Sequence, residues 1–328
     1  MIITVSIQTF NNADTLARTL ESLRSLRRPP EVEHEILVVD NNSTDNTSQV
    51  LDAYAKALTP RLRSVFEPQQ GLSHARNRAL REARGEIVSF IDDDVIVDPD
   101  WLGAVASAFQ EHSADIVGGR SYLIYPAVKP AWLTEAHERL LSRLDYGDKV
   151  IVGIQEQLFG LNFSVRRDVA LRVGGFDPAV GRLGRSLGCG EEKDLQDRIV
   201  EAGGLVVYEP RAVVGHVVRP ERLTKKWFLK RVGHSAMSAQ RMRFLRGQER
   251  PSIIRPLCGC GRSCAAIVKD LVVFRERDSR LFHRRLDVVF NVARLVETVR
   301  YRFRRSEPQV VAGQPDVRVG HTAKRGAE

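Results

Sequence analysis

Three consecutive carboxylates, Asp92, Asp93 and Asp94, directly follow the nearly unbroken apolar run Ile87, Val88, Ser89, Phe90, Ile91. Such a run reads as a strand buried on both faces in the middle of a sheet. Like charges at its carboxyl end repel one another and cost free energy unless a cation or a set of hydrogen-bond donors sits among them. A hard divalent ion with oxygen ligands, holding a diphosphate on its far side, satisfies all three; a solvated acidic turn, with Asp98 and Pro99 opening the next helix, is the alternative. A second acidic group, Glu191, Glu192 and Asp194, precedes Leu195, Ile199 and Ala202 at helical spacing. Acids favour the first turn of a helix, so the helix alone accounts for them, but a carboxylate in such a place can also serve as a general base. Asp40 follows the apolar run 36–39 and opens a polar loop, 40–45, crowded with groups that hydrogen-bond and cap. Arg76 sits in the first turn of a helix that Ser73 can cap, which is unfavourable for a cation unless an anion binds nearby; an exposed helix charge is the alternative.

The elements that must position these groups alternate along the first hundred residues. Residues 2–7 form a first strand, ended by the loop 8–12; Asn12 or Asp14 can cap a helix whose Leu16, Leu20 and Leu23 share a face. Residues 36–39 make a second strand, 47–57 a helix, and 62–66 a third strand. A repeated strand, polar loop and helix is what a parallel sheet with crossover helices requires, and open α/β sheets bind ligands at the carboxyl edge of their strands. Residues 101–111 read as a helix and 116–119 as a further strand. The segment 120–158 is irregular, with a helix expected over 140–146, and a long insertion of this kind near a site often covers the ligand. Trp132 within it is assigned to core packing. Residues 206–208 and 212–214 read as two short late strands.

The motifs, taken in order, resemble the family-2 glycosyltransferases: a strand ending in Thr9, Phe10 and Asn11; a strand ending in Asp40 with the polar loop 41–45; Gly71 to Asn77; and the strand ending in Asp92, Asp93 and Asp94. Farther on, Phe159 to Arg167, Val173 to Pro178 and Gly190 to Leu195 continue the likeness. The resemblance implies a GT-A fold, a mostly parallel α/β sheet flanked by helices, and an inverting, metal-dependent transfer from a nucleotide-sugar donor. It places Thr9, Asn11, Asp40, Arg76, Asp92 and Asp93 around the nucleotide, Asn162 at the sugar hydroxyls, and Asp94 with Asp92 on a divalent metal, Mn²⁺ or Mg²⁺. His216 completes the metal shell in some members, and imidazole suits Mn²⁺ better than Mg²⁺. A basic residue past that histidine reaches the diphosphate, and Arg231 is chosen here. The family usually writes Gly-Glu-Asp-x-Asp-Leu where this chain has Glu192 in the aspartate's slot, which leaves Glu192 or Glu191 as the catalytic base.

Charge divides the chain. Residues 1–218 carry 24 basic and 31 acidic side chains, a balance of −7, whereas 219–306 carry 23 and 7, or +16; the last 22 residues balance, giving the overall +9. We therefore expect a catalytic domain over 1–218, a basic helical C-terminal extension over 219–306 and a disordered tail over 307–328. Within the extension, residues 224–247 and 281–303 read as helices. Leu281, Val288, Val292, Leu295 and Val299 form a stripe among arginines on the second, which suits an anionic membrane surface or packing on the catalytic domain. No stretch long and apolar enough to span a bilayer and no signal peptide is recognised. Four cysteines in 328 residues suit a reducing cytoplasm, and Cys258, Cys260 and Cys264 lack a fourth partner at zinc-finger spacing. These features predict a cytoplasmic enzyme, peripheral on the inner face of the membrane, that moves a sugar from a UDP-sugar to a hydroxyl of a lipid-linked or cell-envelope glycan. A non-catalytic nucleotide-sugar-binding module is the alternative. A nucleic-acid partner is not expected, because neither an aromatic platform nor a helix-turn-helix pattern accompanies the basic tail.

Overall fold

The computed structural model describes residues 1–58, 61–180, 187–273 and 278–306; the tail expected to be disordered lies outside them. Strand β1 (Ile2–Thr9) is followed by helix α1 (Ala13–Leu23), β2 (Glu33–Asp40), α2 (Thr47–Ala57), β3 (Leu62–Phe66), α3 (Leu72–Glu82) and β4 (Ile87–Asp92). These four strands lie side by side, all parallel, in the order β3-β2-β1-β4. Parallel register sets Thr9 beside Asp40 and Gln8 beside Asp92. The polar strand ends therefore form one edge, although the chain separates them widely.

Beyond β4 come β5 (Val95–Val97), α4 (Trp101–His112), β6 (Ile116–Ile124), α5 (Glu135–Glu138), β7 (Ile151–Val152), β8 (Asn162–Arg166), α6 (Arg167–Arg172), α7 (Glu191–Glu201) and β9 (Val206–Val217). Here the sheet is mixed: β8 runs antiparallel to β4 and β6, β9 parallel to β6, and β5 and β7 antiparallel to β9. Where two late strands were expected, β9 is continuous. Pro210 cannot donate to the ladder, and pairing with β6 resumes after a register shift between Gly119 and Arg120. A Cβ on Gly119 would stand 1.9 Å from the Ala212 carbonyl oxygen, so the bulge requires glycine there. The helix expected over 140–146 is also replaced. A 3-10 turn (Arg139–Leu141) ends at Ser142 with φ 68°, and Leu144 then bridges to Ser121.

One face of the sheet is covered by α1, α2 and α4, through Leu16, Leu20, Leu51, Trp101, Val105 and Phe109; the other by α3, α6 and α7, through Ala79, Leu80, Ala170, Leu195 and Ile199. A third core joins the C-terminal helices to this body. Helices α8 (Lys225–Leu245) and α10 (Asp278–Ser306) bring Phe228, Val232, Phe282 and Leu286 against Leu133, Leu141 and Val218. Trp132 packs edge-on to Phe228 and Phe282, at 5.3 and 4.9 Å between ring centroids. Full burial of each such side chain contributes about 1.5–3 kcal/mol, so the basic extension is held by a real core. The buried face of α10 is Phe282, Leu286, Ala293, Glu297 and Thr298. Val292 and Val299 of the expected stripe are exposed instead, with Val296 and Phe303 beside them. Helix α9 (Ile254–Val273) carries Cys258, Cys260 and Cys264 as free thiols.

Candidate active site

A cavity of about 740 Å³ opens at the carboxyl edge of β1 and β4. Its floor includes Thr9, Asp92, Asp93 and Asp94; one side is the start of α3 and of α7, and the far wall comes from α8 and α10. The three aspartates turn apart. The Thr9 hydroxyl donates to Asp93 Oδ2 at 2.7 Å, and the Asn12 amide donates to Oδ1 at 2.5 Å. Asn12 stands at the N-cap position of α1 but makes no side-chain cap bond there; its amide serves the carboxylate instead. Burial and the neighbouring Asp94 push Asp93 up to about 7 in spite of these two donors. Burial and Asp94 likewise raise Asp92, against the pull of Arg76.

Asp94 goes the other way. Burial works against its charge, yet the guanidiniums of Arg222 and Arg219, 3.1 and 3.8 Å from Oδ2, hold its carboxyl below the usual carboxylate range. His216 reaches it because β9 pairs with β5 in a register that sets His216 opposite Val95. The ring's Nδ1 lies 2.7 Å from the Leu141 carbonyl oxygen, which can only accept, so Nδ1 carries the proton. Arg222 Nη1, which can only donate, lies 2.9 Å from Nε2, so Nε2 presents a lone pair, and it stands 3.5 Å from Asp94 Oδ1. A backbone-anchored neutral imidazole beside a carboxylate is a donor set that fits a divalent ion, Mn²⁺ in particular. Asp94 and His216 would hold it, with Asp92 across the turn. Among the described residues no three His, Cys, Asp or Glu side chains converge as a ready-made cage.

The second acidic group opens α7, and Arg76 joins it to the first. This arginine is only 1 % exposed. Its Nη1 lies 2.8 Å from Glu192 Oε1 and 3.3 Å from Glu191 Oε1, and its Nη2 lies 3.8 Å from Asp92. Helix α3 begins at Leu72 behind Gly71, whose φ of 146° only glycine adopts freely. Ser73 is therefore inside the helix and donates to the Val180 carbonyl rather than capping it. Burial opposes Arg76's charge, but Glu192, Glu191 and Asp92 more than restore it. Removing such a buried charge would strand its partners, at about 3–5 kcal/mol. Gly160 closes over this cluster: a Cβ there would fall 2.0 Å from Glu192 Oε1 and 2.1 Å from Arg76 Nη2.

The remaining expected site residues are distributed unevenly. Arg231 lines the cavity while donating to the Leu187 carbonyl at 2.7 Å. Asp40 and Asn11 lie behind the lining: Asp40 accepts from the Ser43 amide at 2.9 Å and Asn11 from the Thr44 amide at 2.7 Å. Asn162 is also outside the lining, because its amide is committed elsewhere. It accepts from the Trp101 indole at 2.9 Å and donates to the carbonyls of Arg120 and Ala212, at 3.1 and 2.8 Å, across the β9 bulge. Sequence reasoning missed Arg222, Trp227 and Phe290, which line the cavity, and did not single out Gly160 within the motif 159–167, although it lines the cavity too. Of the missed three, only Arg222 left a signal, as a cation close behind His216.

A carboxylate triplet at the parallel edge of a mixed sheet thus faces a second acidic pair across one cavity. The profile of Glycosyl transferase family 2 matches residues 4–173, just over half of the chain, and the chain belongs to that family. It is 27 % identical over 219 residues to a glucosyl-dolichyl phosphate glucuronosyltransferase of Haloferax volcanii, covering 66 % of this chain and 68 % of that one. It is 26 % identical over 231 residues to the succinoglycan biosynthesis protein ExoM of Rhizobium meliloti, covering 69 % and 71 %. Among solved structures, the mannosyltransferase PcManGT of Pyrobaculum calidifontis, in complex with GDP-Man and Mn²⁺, shares the fold with a TM-score of 0.55 and 19 % identity over 95 % of this chain and 76 % of that one.

Proposed function

We propose that this glycosyltransferase moves a sugar, with inversion, from a UDP-sugar to a hydroxyl of a lipid-linked or envelope glycan, with a divalent metal at Asp94 and His216. The observation that carries this reading is that one cavity joins the strand-end carboxylates to the Glu191–Glu192 pair, with Arg76 reaching both. Single displacement needs this separation of duties: a site for the leaving diphosphate on one side and a base for the incoming hydroxyl on the other. Arg76 contacts Glu192 through Oε1, and Oε2 is the oxygen proposed to take the acceptor proton. As that proton leaves, the hydroxyl oxygen bonds to the anomeric carbon and the bond from that carbon to the diphosphate breaks on the opposite face. A bound divalent ion would supply a Lewis acid for the diphosphate's charge. The relative that acts on a glucosyl-dolichyl phosphate supports a lipid-linked acceptor here.

The outer face of α10 supports a membrane surface as the place of action. Val292, Val296, Val299 and Phe303 are exposed on a helix rich in arginine, and no helix among the described residues is long and apolar enough to cross a membrane. Lying on an anionic leaflet satisfies both features. The test is a panel of UDP- and GDP-sugars screened by thermal shift with and without Mn²⁺, since a true donor stabilises only the folded protein. Stabilisation by one UDP-sugar that depends on Mn²⁺ is the expected result. Stabilisation that persists unchanged in EDTA would remove the metal from the mechanism.

A further inference from the structure

The cation nearest the proposed metal position belongs to the protein. Arg222 closes a 3-10 turn (Pro220–Arg222) just after β9, and its guanidinium forks between the two proposed ligands. Nη1 lies 2.9 Å from His216 Nε2, and Nη2 lies 3.1 Å from Asp94 Oδ2. Because the Leu141 carbonyl fixes the ring proton on Nδ1, Arg222 is bonded to the very lone pair that would ligate a metal. An arginine cannot accept a hydrogen bond, so it sits there as a donor, in the same electrostatic role as a divalent ion. Arg219 contributes from farther out, its Nε 3.8 Å from Asp94 Oδ2.

We propose that Arg222 and the catalytic metal compete for Asp94 and His216, so that metal loading must turn the Arg222 side chain out of this position. This rests on the proposed metal at Asp94 and His216 and adds a coupled movement to it. A guanidinium and a divalent ion cannot share one lone pair, and their like charges repel at such short range. The displaced side chain remains on the rim of the cavity, where Arg222, Arg219 and Arg231 all line the wall. Its new partner is then the diphosphate of the donor, which arrives with the charge that Arg222 has lost. Metal and donor binding thereby become mutually reinforcing: the metal frees the arginine, and the donor holds it away.

Mn²⁺ binding to the whole protein, followed by electron paramagnetic resonance of the free ion, tests the competition without recourse to turnover. Arg222→Gln should bind Mn²⁺ about tenfold more tightly or better in the absence of nucleotide, as expected when a charge-assisted bond no longer has to be broken. Arg219→Gln removes the same charge from nearly the same place but leaves the lone pair covered, and should change affinity by a much smaller factor. In the wild type, addition of UDP should tighten Mn²⁺ binding, whereas in Arg222→Gln this enhancement should shrink. If Arg222→Gln proves too unstable to purify, Arg222→Lys, which is too short to fork between both ligands, should still bind Mn²⁺ more tightly than wild type. Equal Mn²⁺ affinity in wild type and Arg222 variants, or an equal gain in Arg219→Gln, overturns the competition while leaving the metal reading intact. If no protein binds Mn²⁺ with or without UDP, the metal reading falls, and this inference with it.

Discussion

Gly160→Ala is the smallest change that should disable the site without touching a charged group. A Cβ at this position would meet Glu192 Oε1 at 2.0 Å and Arg76 Nη2 at 2.1 Å, whereas ordinary van der Waals contact begins at 3.4 Å. Both ends must therefore retreat by more than 1 Å. Arg76 is 1 % and Glu192 9 % exposed, and the room open to both is the cavity that they line, so the retreat carries them into the site itself. A misplacement of about 1 Å in a reacting group costs on the order of a hundredfold in rate, so turnover should fall by about that factor. Loosening the 2.8 Å bond between Arg76 and Glu192 should also cost about 1.5–3 kcal/mol of stability, the range for hydrogen bonds to charged groups. The assay is the initial rate of nucleoside diphosphate release, with the donor chosen by thermal shift, alongside urea unfolding. Combining Gly160→Ala with Glu192→Gln should lower turnover no further than Glu192→Gln alone, because the two changes remove one function. Turnover within threefold of wild type in a variant that has lost stability would show that the position of Glu192 does not govern the chemistry.

Glu192→Gln keeps the size of the side chain but cannot take a proton, so turnover should fall about a hundredfold with little change in donor affinity; a larger loss in Glu191→Gln would move the base by one residue. The full chain should bind anionic vesicles at low salt and detach as salt shortens the Debye length to about 8 Å. Val296→Glu with Phe303→Glu should abolish that binding and leave the donor-induced thermal shift intact, and unaltered vesicle binding in this variant would remove α10 from the membrane. His34 tests a pH effect remote from the site: burial, with Arg61 and Arg28, lowers it from 6.5 to about 4. The unfolded chain takes up this proton first, so stability should decline as pH drops from about 6.5 towards 4. In His34→Gln the decline over that window should be shallower, as measured by unfolding at each pH, and an unchanged slope would show that His34 is not its source.

The polar edge of the parallel strands was legible in the sequence because each of its parts is local. Residues 36–39 and 87–91 announce buried strands, and the polar residues next after each run must emerge at a strand end; the parallel register then aligns Thr9, Asp40 and Asp92 without further information. Pairings across long stretches of chain left no such trace. Arg76 reads as an exposed helix charge until α7 is folded against α3, and Asn12 reads as a cap until β4 delivers Asp93. Asn162 stands in a recognisable motif, but its amide is taken up by a bulge that only the pairing of β6 with β9 creates. The two short strands expected over 206–208 and 212–214 are one strand for the same reason: Pro210 breaks the local pattern, while the bulge lets the ladder resume beyond it. On α10 the apolar residues around the helix outnumber those its single buried face can use, so periodicity picked a stripe without saying which side the protein would cover.

The cavity wall formed by α8 and α10 has a consequence in time. Asp92 to Asp94 leave the ribosome long before Leu286 and Phe290, which line the same cavity. Contacts between residues so far apart in sequence carry a large loop-closure cost and tend to form late. During synthesis, then, the strand ends that carry Thr9 and Asp92 can meet before the opposite wall of the cavity exists. The arrival of the last helix then decides when the pocket ceases to be a groove.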